Sequence, residues 1–141
     1  MPKKKHRAKL NFVNGQKIVH VYDIWKFLAT SSFIDDRISS LGDQFLRYSE
    51  LEETLQGANR EYIKRLKSEI EKQTAILLGQ KHDLLQLIEM MPDSDMKAVL
   101  SLRYLNSKRW EDVARAMNRP VWDVFAIHDK MIDFLERKYS G

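Results

Sequence analysis

The strongest constraint on this fold is a run of three helical patterns separated by two polar breaks, between Pro92 and Glu136. Apolar residues recur there at the three- and four-residue spacing that is typical of an amphipathic helix. The patterns cover residues 96–105, 110–117 and 121–138, and the breaks cover 106–108 and 118–120. Two helices joined by a turn of three or four residues form a helix-turn-helix. The sequence therefore predicts a C-terminal three-helix unit of this type over residues 93–141.

Two heptad seams precede this unit, each with apolar residues at alternating spacings of four and three. The first seam consists of Ile34, Ile38, Leu41, Phe45, Tyr48 and Leu55, and misses one beat at Glu52. The second consists of Ile63, Leu66, Ile70, Gln73, Leu77, Gln80, Leu84, Leu87 and Met91. A short Gly57–Asn59 connection favours an antiparallel, coiled-coil-like helical hairpin over residues 31–92. Ser32 and Asp35 predict a capping box at its start.

A homodimer is the alternative arrangement for these seams. In that arrangement the longer second seam pairs with a second chain. In the intramolecular hairpin, the second seam extends past the first and could leave an apolar end for a partner. We favour the intramolecular hairpin, because short connections usually join antiparallel neighbours.

The N-terminal third of the sequence has a different character. Residues 1–9 form a basic, apolar-poor tail that is typical of disorder. Residues 10–30 contain two strand-like runs around Asn14-Gly15, the strongest short hairpin signal, and then a short helix with Asp23 as its N-cap. Trp25 and Phe27 are expected to pack this element on the rest of the chain. The predicted fold is mainly α, with this β-hairpin, the helical hairpin and the helix-turn-helix.

Charge and composition limit the function classes. The 141 residues include no Cys and no apolar run long enough for a membrane span, so we expect a soluble cytoplasmic protein with no membrane partner. The net charge of +4 comes entirely from the tail residues Lys3, Lys4, Lys5, Arg7 and Lys9. Residues 93–141 carry nine Lys/Arg against eight Asp/Glu. The predicted helix-turn-helix is therefore barely basic, which is unusual for a nucleic-acid binder.

One sequence pattern resembles a known family. It combines Leu102-Arg-Tyr104, Trp110-Glu-Asp-Val-Ala114 and Val124-Phe-Ala-Ile-His128. This pattern, over residues 33–138, is similar to the ArpU/RinA-like activators of Gram-positive phages and prophages, whose helix-turn-helix resembles sigma-factor region four. The resemblance implies a transcriptional regulator in a bacterial host, with double-stranded DNA and RNA polymerase or another protein as partners.

Candidate DNA contacts lie at the two turns beside the second helix of the motif. Backbone phosphates are usually contacted there. The candidates at these turns and on the following helix are Lys108, Arg109, Arg115, Arg119 and Lys130, to which the tail cations Lys3, Lys4, Lys5, Arg7 and Lys9 add a nonspecific arm.

The second helix of the motif departs from the family where bases would be read. Its outward positions are Val121, Trp122, Phe125, Ala126 and Asp129, and Lys130 is the first residue on that face suited to base reading. Val121, Trp122 and Phe125 are expected either to join the core or to form an exposed protein interface. The second possibility suggests another function, a protein-binding module that captures a transcription or host-defence protein.

No catalytic, metal or cofactor site is predicted. His6, His20, His82 and His128 lack the paired spacing of metal ligands, and Asp93-Ser-Asp95 lacks the other positions of a calcium loop. The sequence contains no Gly-rich phosphate loop and no nucleophile elbow. We therefore do not expect an enzyme.

Overall fold

The chain is mainly helical. A computed structural model describes the backbone of residues 8–10, 20–22 and 24–139 and the side chains of residues 24–138. The elements are β1 (Ala8–Leu10), β2 (His20–Tyr22), α1 (Ile24–Thr30), α2 (Ile34–Glu52), α3 (Gly57–Met90), α4 (Ser94–Leu100), a π-helix (Ser101–Leu105), α5 (Trp110–Met117) and α6 (Val121–Tyr139). Within these ranges, no helix combines the length and the apolar character that crossing a membrane requires.

The chain divides into two compact units. One consists of residues 34–80 and is called the hairpin unit below. The other combines the chain before residue 34 with residues 81–141 and is called the terminal unit.

The two N-terminal strands pair in antiparallel fashion, with Lys9 opposite Val21. Ala8 and Lys9, the last residues of the predicted basic tail, thus belong to β1, which lies against α6. The predicted Asn14-Gly15 turn, the Asp23 cap and tail residues 1–7 lie outside the described residues, and they stay predictions.

The hairpin unit is formed by α2 and the first part of α3, which run antiparallel within one chain. The Lys67 ammonium donates to the Glu52 carboxylate over 2.8 Å and lies 4.8 Å from the centre of the Phe45 ring. The two helices therefore pair within the chain, as the favoured arrangement predicted. Glu52 occupies the heptad position that lacks an apolar residue, and its carboxylate pairs with Lys67 and Arg60. The hydrogen bond from Lys67 is the main reason that the pKa of Glu52 is lowered.

Ser32 and Phe33 belong to the segment that joins α1 to α2. Helix α2 begins at Ile34, after Phe33 with a left-handed φ of 53°. The Ser32 hydroxyl instead donates to the Ala29 carbonyl over 2.9 Å. Ser32 thus contributes to the end of α1, and its predicted capping box with Asp35 stays a prediction.

The terminal unit has a continuous apolar core to which α1, the end of α3, and α4 to α6 all contribute. Its buried side chains are Ile24, Phe27, Leu28, Leu84, Leu87, Met91, Met96, Val99, Leu100, Val113, Ala114, Val124, Ile127, Met131, Ile132 and Leu135. The end of the second heptad seam is thus buried in this core. It is therefore not the free apolar end that the longer second seam could have left for a partner.

The helix predicted over residues 96–105 changes its geometry halfway. It begins as an α-helix, and the Asp93 carboxylate caps it by accepting from the Met96 backbone N–H over 2.8 Å. From Ser101 it continues as a π-helix, and the Asn106 N–H reaches back five residues to the Ser101 carbonyl. Apolar spacing over ten residues does not reveal this change. The wider turn alters the directions of Arg103 and Tyr104, both of which matter below.

Candidate nucleic-acid interface

Helices α5 and α6 are joined by a three-residue turn, as the sequence predicted. Asn118 ends α5 in the left-handed conformation, with φ 57° and ψ 46°, and the following N–H of Arg119 donates to the Ala114 carbonyl over 3.0 Å. Asparagine tolerates this conformation better than most residues, so the turn needs no glycine. The Pro120 carbonyl then accepts the N–H groups of Asp123 and Val124 in the first turn of α6. This local chemistry fixes the short connection that a helix-turn-helix requires.

The inner side of α6 belongs to the core, and its outer side is open to water. Trp122 is 71% exposed and Phe125 is 44% exposed, whereas Val121 is half-buried against the core. Of the two expected locations, core or surface, Trp122 and Phe125 therefore occupy the surface. Ala126, Asp129 and Lys130 continue the same exposed side.

Arg109 and Arg115 share one carboxylate. The Arg115 Nη1 atom lies 2.6 Å from Asp112 Oδ1, and the Arg109 Nε atom lies 3.3 Å from Asp112 Oδ2. The pKa of Asp112 is lowered, mainly by the hydrogen bond from Arg115 and next by that from Arg109. Both arginines stay about three-quarters exposed. Arg109 and Arg115 therefore exceed their shared carboxylate by one positive charge, and the exposed Glu111 in the first turn of α5 balances that excess.

Arg119 has a different environment. Its guanidinium donates to Asp123 over 2.8 Å and to Asp95 over 2.8 Å. These two carboxylates raise the pKa of Arg119, with the Asp123 hydrogen bond contributing most. The ion pairs tie the first turn of α4 to the first turn of α6, and they leave this turn with more negative than positive charge. Arg119 is therefore a structural tie, and a phosphate would have to displace its carboxylates.

The remaining predicted cations fall into two groups. Lys108 and Lys130 are exposed, one before α5 and the other on the outer side of α6. Lys3, Lys4, Lys5 and Arg7 lie outside the described residues, and only the backbone of Lys9 is described.

An aromatic cluster behind this surface escaped the sequence reasoning. The Trp110 ring lies 4.5 Å from the Arg103 guanidinium, 5.2 Å from the Phe125 ring and 4.9 Å from the His128 ring. Trp110 therefore joins the π-helix, α5 and the first turns of α6. The family-like pattern contains Trp110, Tyr104 and His128, but it gives no signal for the contacts among their rings.

His128 is the buried polar centre of that cluster. It is 6% exposed, and its Nε2 atom lies 2.7 Å from the Tyr104 hydroxyl. Burial is the main reason that the pKa of His128 is lowered; nearby Asp129 opposes the shift and Arg103 adds to it. Burial also raises the pKa of Tyr104. The Tyr104–His128 pair links the π-helix to α6. Its role is therefore structural, beneath the exposed side of α6.

Comparisons with known proteins give one match. Neither the curated proteins nor the solved structures compared with this chain match it. A family model described as "Protein of unknown function (DUF1492)" matches residues 60–136, which is more than half of the chain. The chain therefore belongs to the DUF1492 family.

Proposed function

We infer that this chain is a phage-type transcriptional regulator that docks on double-stranded DNA through α5, the following turn and α6, in the cytoplasm of a bacterial host. The observation that carries the proposal is the three-residue turn after α5 together with the exposed guanidinium groups of Arg109 and Arg115. Phosphate contacts position such a unit on the duplex, and they come from exposed Arg and Lys side chains. Arg109, Arg115 and Lys108 supply them here.

The outer side of α6 limits how such a protein would read sequence. Trp122, Phe125 and Ala126 offer no hydrogen-bonding group suited to a base edge except the indole N–H, and Asp129 repels phosphate. Apolar contact with thymine methyl groups and a contact from Lys130 are the base readout that this surface supports. We therefore propose that backbone contacts supply most of the affinity and that sequence preference is modest.

The basic tail adds a sequence-independent contribution. Residues 1–7 carry four cations, and they directly precede β1, which lies against α6. Deleting residues 1–7 leaves β1 intact. If three phosphate contacts are lost, the slope of log K against log salt should change by roughly 3 units. An unchanged slope would remove the tail from the DNA-binding surface.

The experiment that tests the DNA-docking proposal is binding of the full chain to a library of random double-stranded fragments. Truncation before residue 31 is unsuitable, because α1 contributes three buried side chains to the core. The variant Arg109→Ala/Arg115→Ala should weaken binding to all fragments by a similar factor. Arg137→Ala is the matched control, since Arg137 is equally exposed, pairs with Asp133 and lies at the far end of α6. Normal DNA binding by the folded double variant would exclude this docking surface.

A second candidate function is favoured by one specific observation, the 71% exposure of Trp122 beside Phe125. Exposed tryptophans in the centre of an apolar patch are typical anchors of protein interfaces. In this alternative, α6 captures RNA polymerase or a host-defence protein and does not enter the major groove. Trp122→Ala should then abolish protein capture while the Arg109→Ala/Arg115→Ala variant retains it. The reverse pattern supports DNA docking.

A further inference from the structure

The hairpin unit leaves large apolar side chains in water on one of its sides. Leu46 of α2 is 63% exposed and Leu78 of α3 is 51% exposed. Both line a groove between the two helices whose floor includes Phe45 and Ile70. Among the described residues that line this groove, Glu71 is the single charged one. Interface centres are depleted in charge in the same way.

The unit has little other core to compensate for this exposure. Within residues 34–80, the buried apolar side chains are Ile34, Ile63, Ile70 and Leu77, and of these only Ile34 is fully buried. Two packed helices share only one internal interface, so a second apolar side stays uncovered unless another layer is added. The groove side of α2 and α3 is such a second side.

The groove side also contains a recess. A Cβ atom built on Gly42 would meet nothing within 4 Å, so no contact inside the chain requires glycine there. Glycine in the interior of a helix is unfavourable, yet Gly42 lies in the middle of α2 and lines the groove. Ala75 lines the opposite wall. One face thus presents both protruding leucines and small residues that another helix can approach closely.

These features favour a second copy of the chain as the partner that packs on the groove. A two-fold interface places the same face on both sides, so each face must contain both the protrusion and the recess that receives it. The size also fits. A helix of 19 residues, the length of α2, is ~28 Å long, and two adjacent helices are ~20 Å wide. Both faces together would cover ~1,100 Å², above the ~1,000 Å² expected of a biological interface.

We propose that the chain forms a two-fold homodimer through this groove side, with Leu46 and Leu78 of each copy packed against Gly42 and Ala75 of the other. The result is a four-helix arrangement built from α2 and α3 of two chains. The groove is lined in part by the seam residues Leu41, Phe45 and Ile70, whereas the proposed contacts are made by Leu46, Leu78, Gly42 and Ala75, which lie outside the seams. It is also independent of whether the protein binds DNA.

Sedimentation equilibrium of the full chain tests the proposal. The wild-type chain should be dimeric at micromolar concentration. Leu46→Glu should weaken self-association on the order of 100-fold, because it buries an unpaired carboxylate in the interface. Ile76→Glu is the matched control, since Ile76 is also 63% exposed in the same unit but lines a different groove beside Arg37 and Gln73. The control should leave the dimer intact.

A second variant keeps the test decisive if Leu46→Glu loses helix content by circular dichroism. Gly42→Leu fills the recess but meets nothing within the protomer at its Cβ position, so the helix should be retained and the dimer lost. Loss of the dimer in Leu46→Glu and Gly42→Leu, but not in Ile76→Glu, supports the proposal. A monomeric wild-type chain, a dimer that survives both variants, or equal loss in Ile76→Glu overturns it.

Discussion

Among the described residues, the terminal unit buries sixteen apolar side chains, whereas the hairpin unit buries four. The terminal unit has helices on several sides of one core, so each helix finds an internal partner for its apolar face. The hairpin unit has only two helices and one seam, and it keeps Leu46 and Leu78 in contact with water. Large apolar groups left exposed by an otherwise regular unit mark surfaces for partners. The comparison shows that buried apolar side chains stabilise the fold, whereas exposed ones such as Leu46 and Leu78 are available to bind a partner.

The largest effect should follow from a core truncation in the terminal unit. Leu100 is fully buried, so Leu100→Ala should lower the free energy of unfolding by about 2–5 kcal/mol. The matched control is Leu78→Ala in the hairpin unit, which should change it by no more than about 0.5 kcal/mol. Urea denaturation at protein concentrations too low for self-association measures both. Equal losses would contradict the division between core and partner surface.

A smaller effect should come from pH acting on His128. Its pKa is lowered mainly by burial, so at mildly acidic pH the unfolded chain binds a proton there that the folded chain does not. The stabilising contribution is complete above the ordinary pKa of about 6.5, and it is lost as pH falls through the lower folded pKa. The free energy of unfolding should therefore decrease below pH ~6.5, with a slope from this group of at most about 1.4 kcal/mol per pH unit.

His128→Gln is the comparison that isolates this residue, because the other histidines remain in both proteins. Tyr104, Trp25, Trp110, Arg103 and Asp129 surround His128 and are unchanged by the substitution. The wild-type chain should lose unfolding free energy relative to His128→Gln as the pH falls from 7 to 5, because only the wild type has the buried imidazole. A difference independent of pH would show that His128 titrates normally.

The smallest effect on stability should come from Trp122. At 71% exposure it buries little area, so Trp122→Ala should change the free energy of unfolding by no more than about 0.5 kcal/mol. Trp110→Ala, which removes the centre of the aromatic cluster, should be far more destabilising. Thermal unfolding of both variants measures the contrast. A large loss in Trp122→Ala would mean that this side chain supports the fold.

The sequence predicted those parts of the fold that depend on local chemistry. The heptad spacing placed Ile63, Ile70 and Leu77 on the buried seam, and the α5 boundaries are confirmed at Trp110 and Met117. The apolar spacing over residues 96–105 gave no signal for the π-helix, because the same apolar residues are compatible with an α turn and a π turn. The packing of α1 through Phe27 is confirmed, whereas Trp25 is half exposed. The sequence could not identify the segments against which α1 packs, since that depends on contacts between distant parts of the chain.

The candidate site was predictable only in part, for the same reason. Exposure of Arg109 and Arg115 follows from their helical positions. Arg119 looked equivalent in sequence, but it meets Asp95, which lies 24 residues away. Only the packing of α4 beside α6 brings that carboxylate within reach. The net charge of a turn therefore depends on tertiary neighbours that a linear count of charges omits.

The salt dependence of DNA binding tests the proposed function most directly. The wild-type chain, Arg109→Ala/Arg115→Ala and Arg119→Ala should be titrated onto one duplex at several salt concentrations. Loss of two phosphate contacts should reduce the slope of log K against log salt by roughly 2 units in the double variant. Arg119→Ala should leave the slope close to that of the wild type, because Asp95 and Asp123 already occupy its guanidinium. No binding by the wild-type chain, or an unchanged slope in the double variant, would contradict DNA docking through α5.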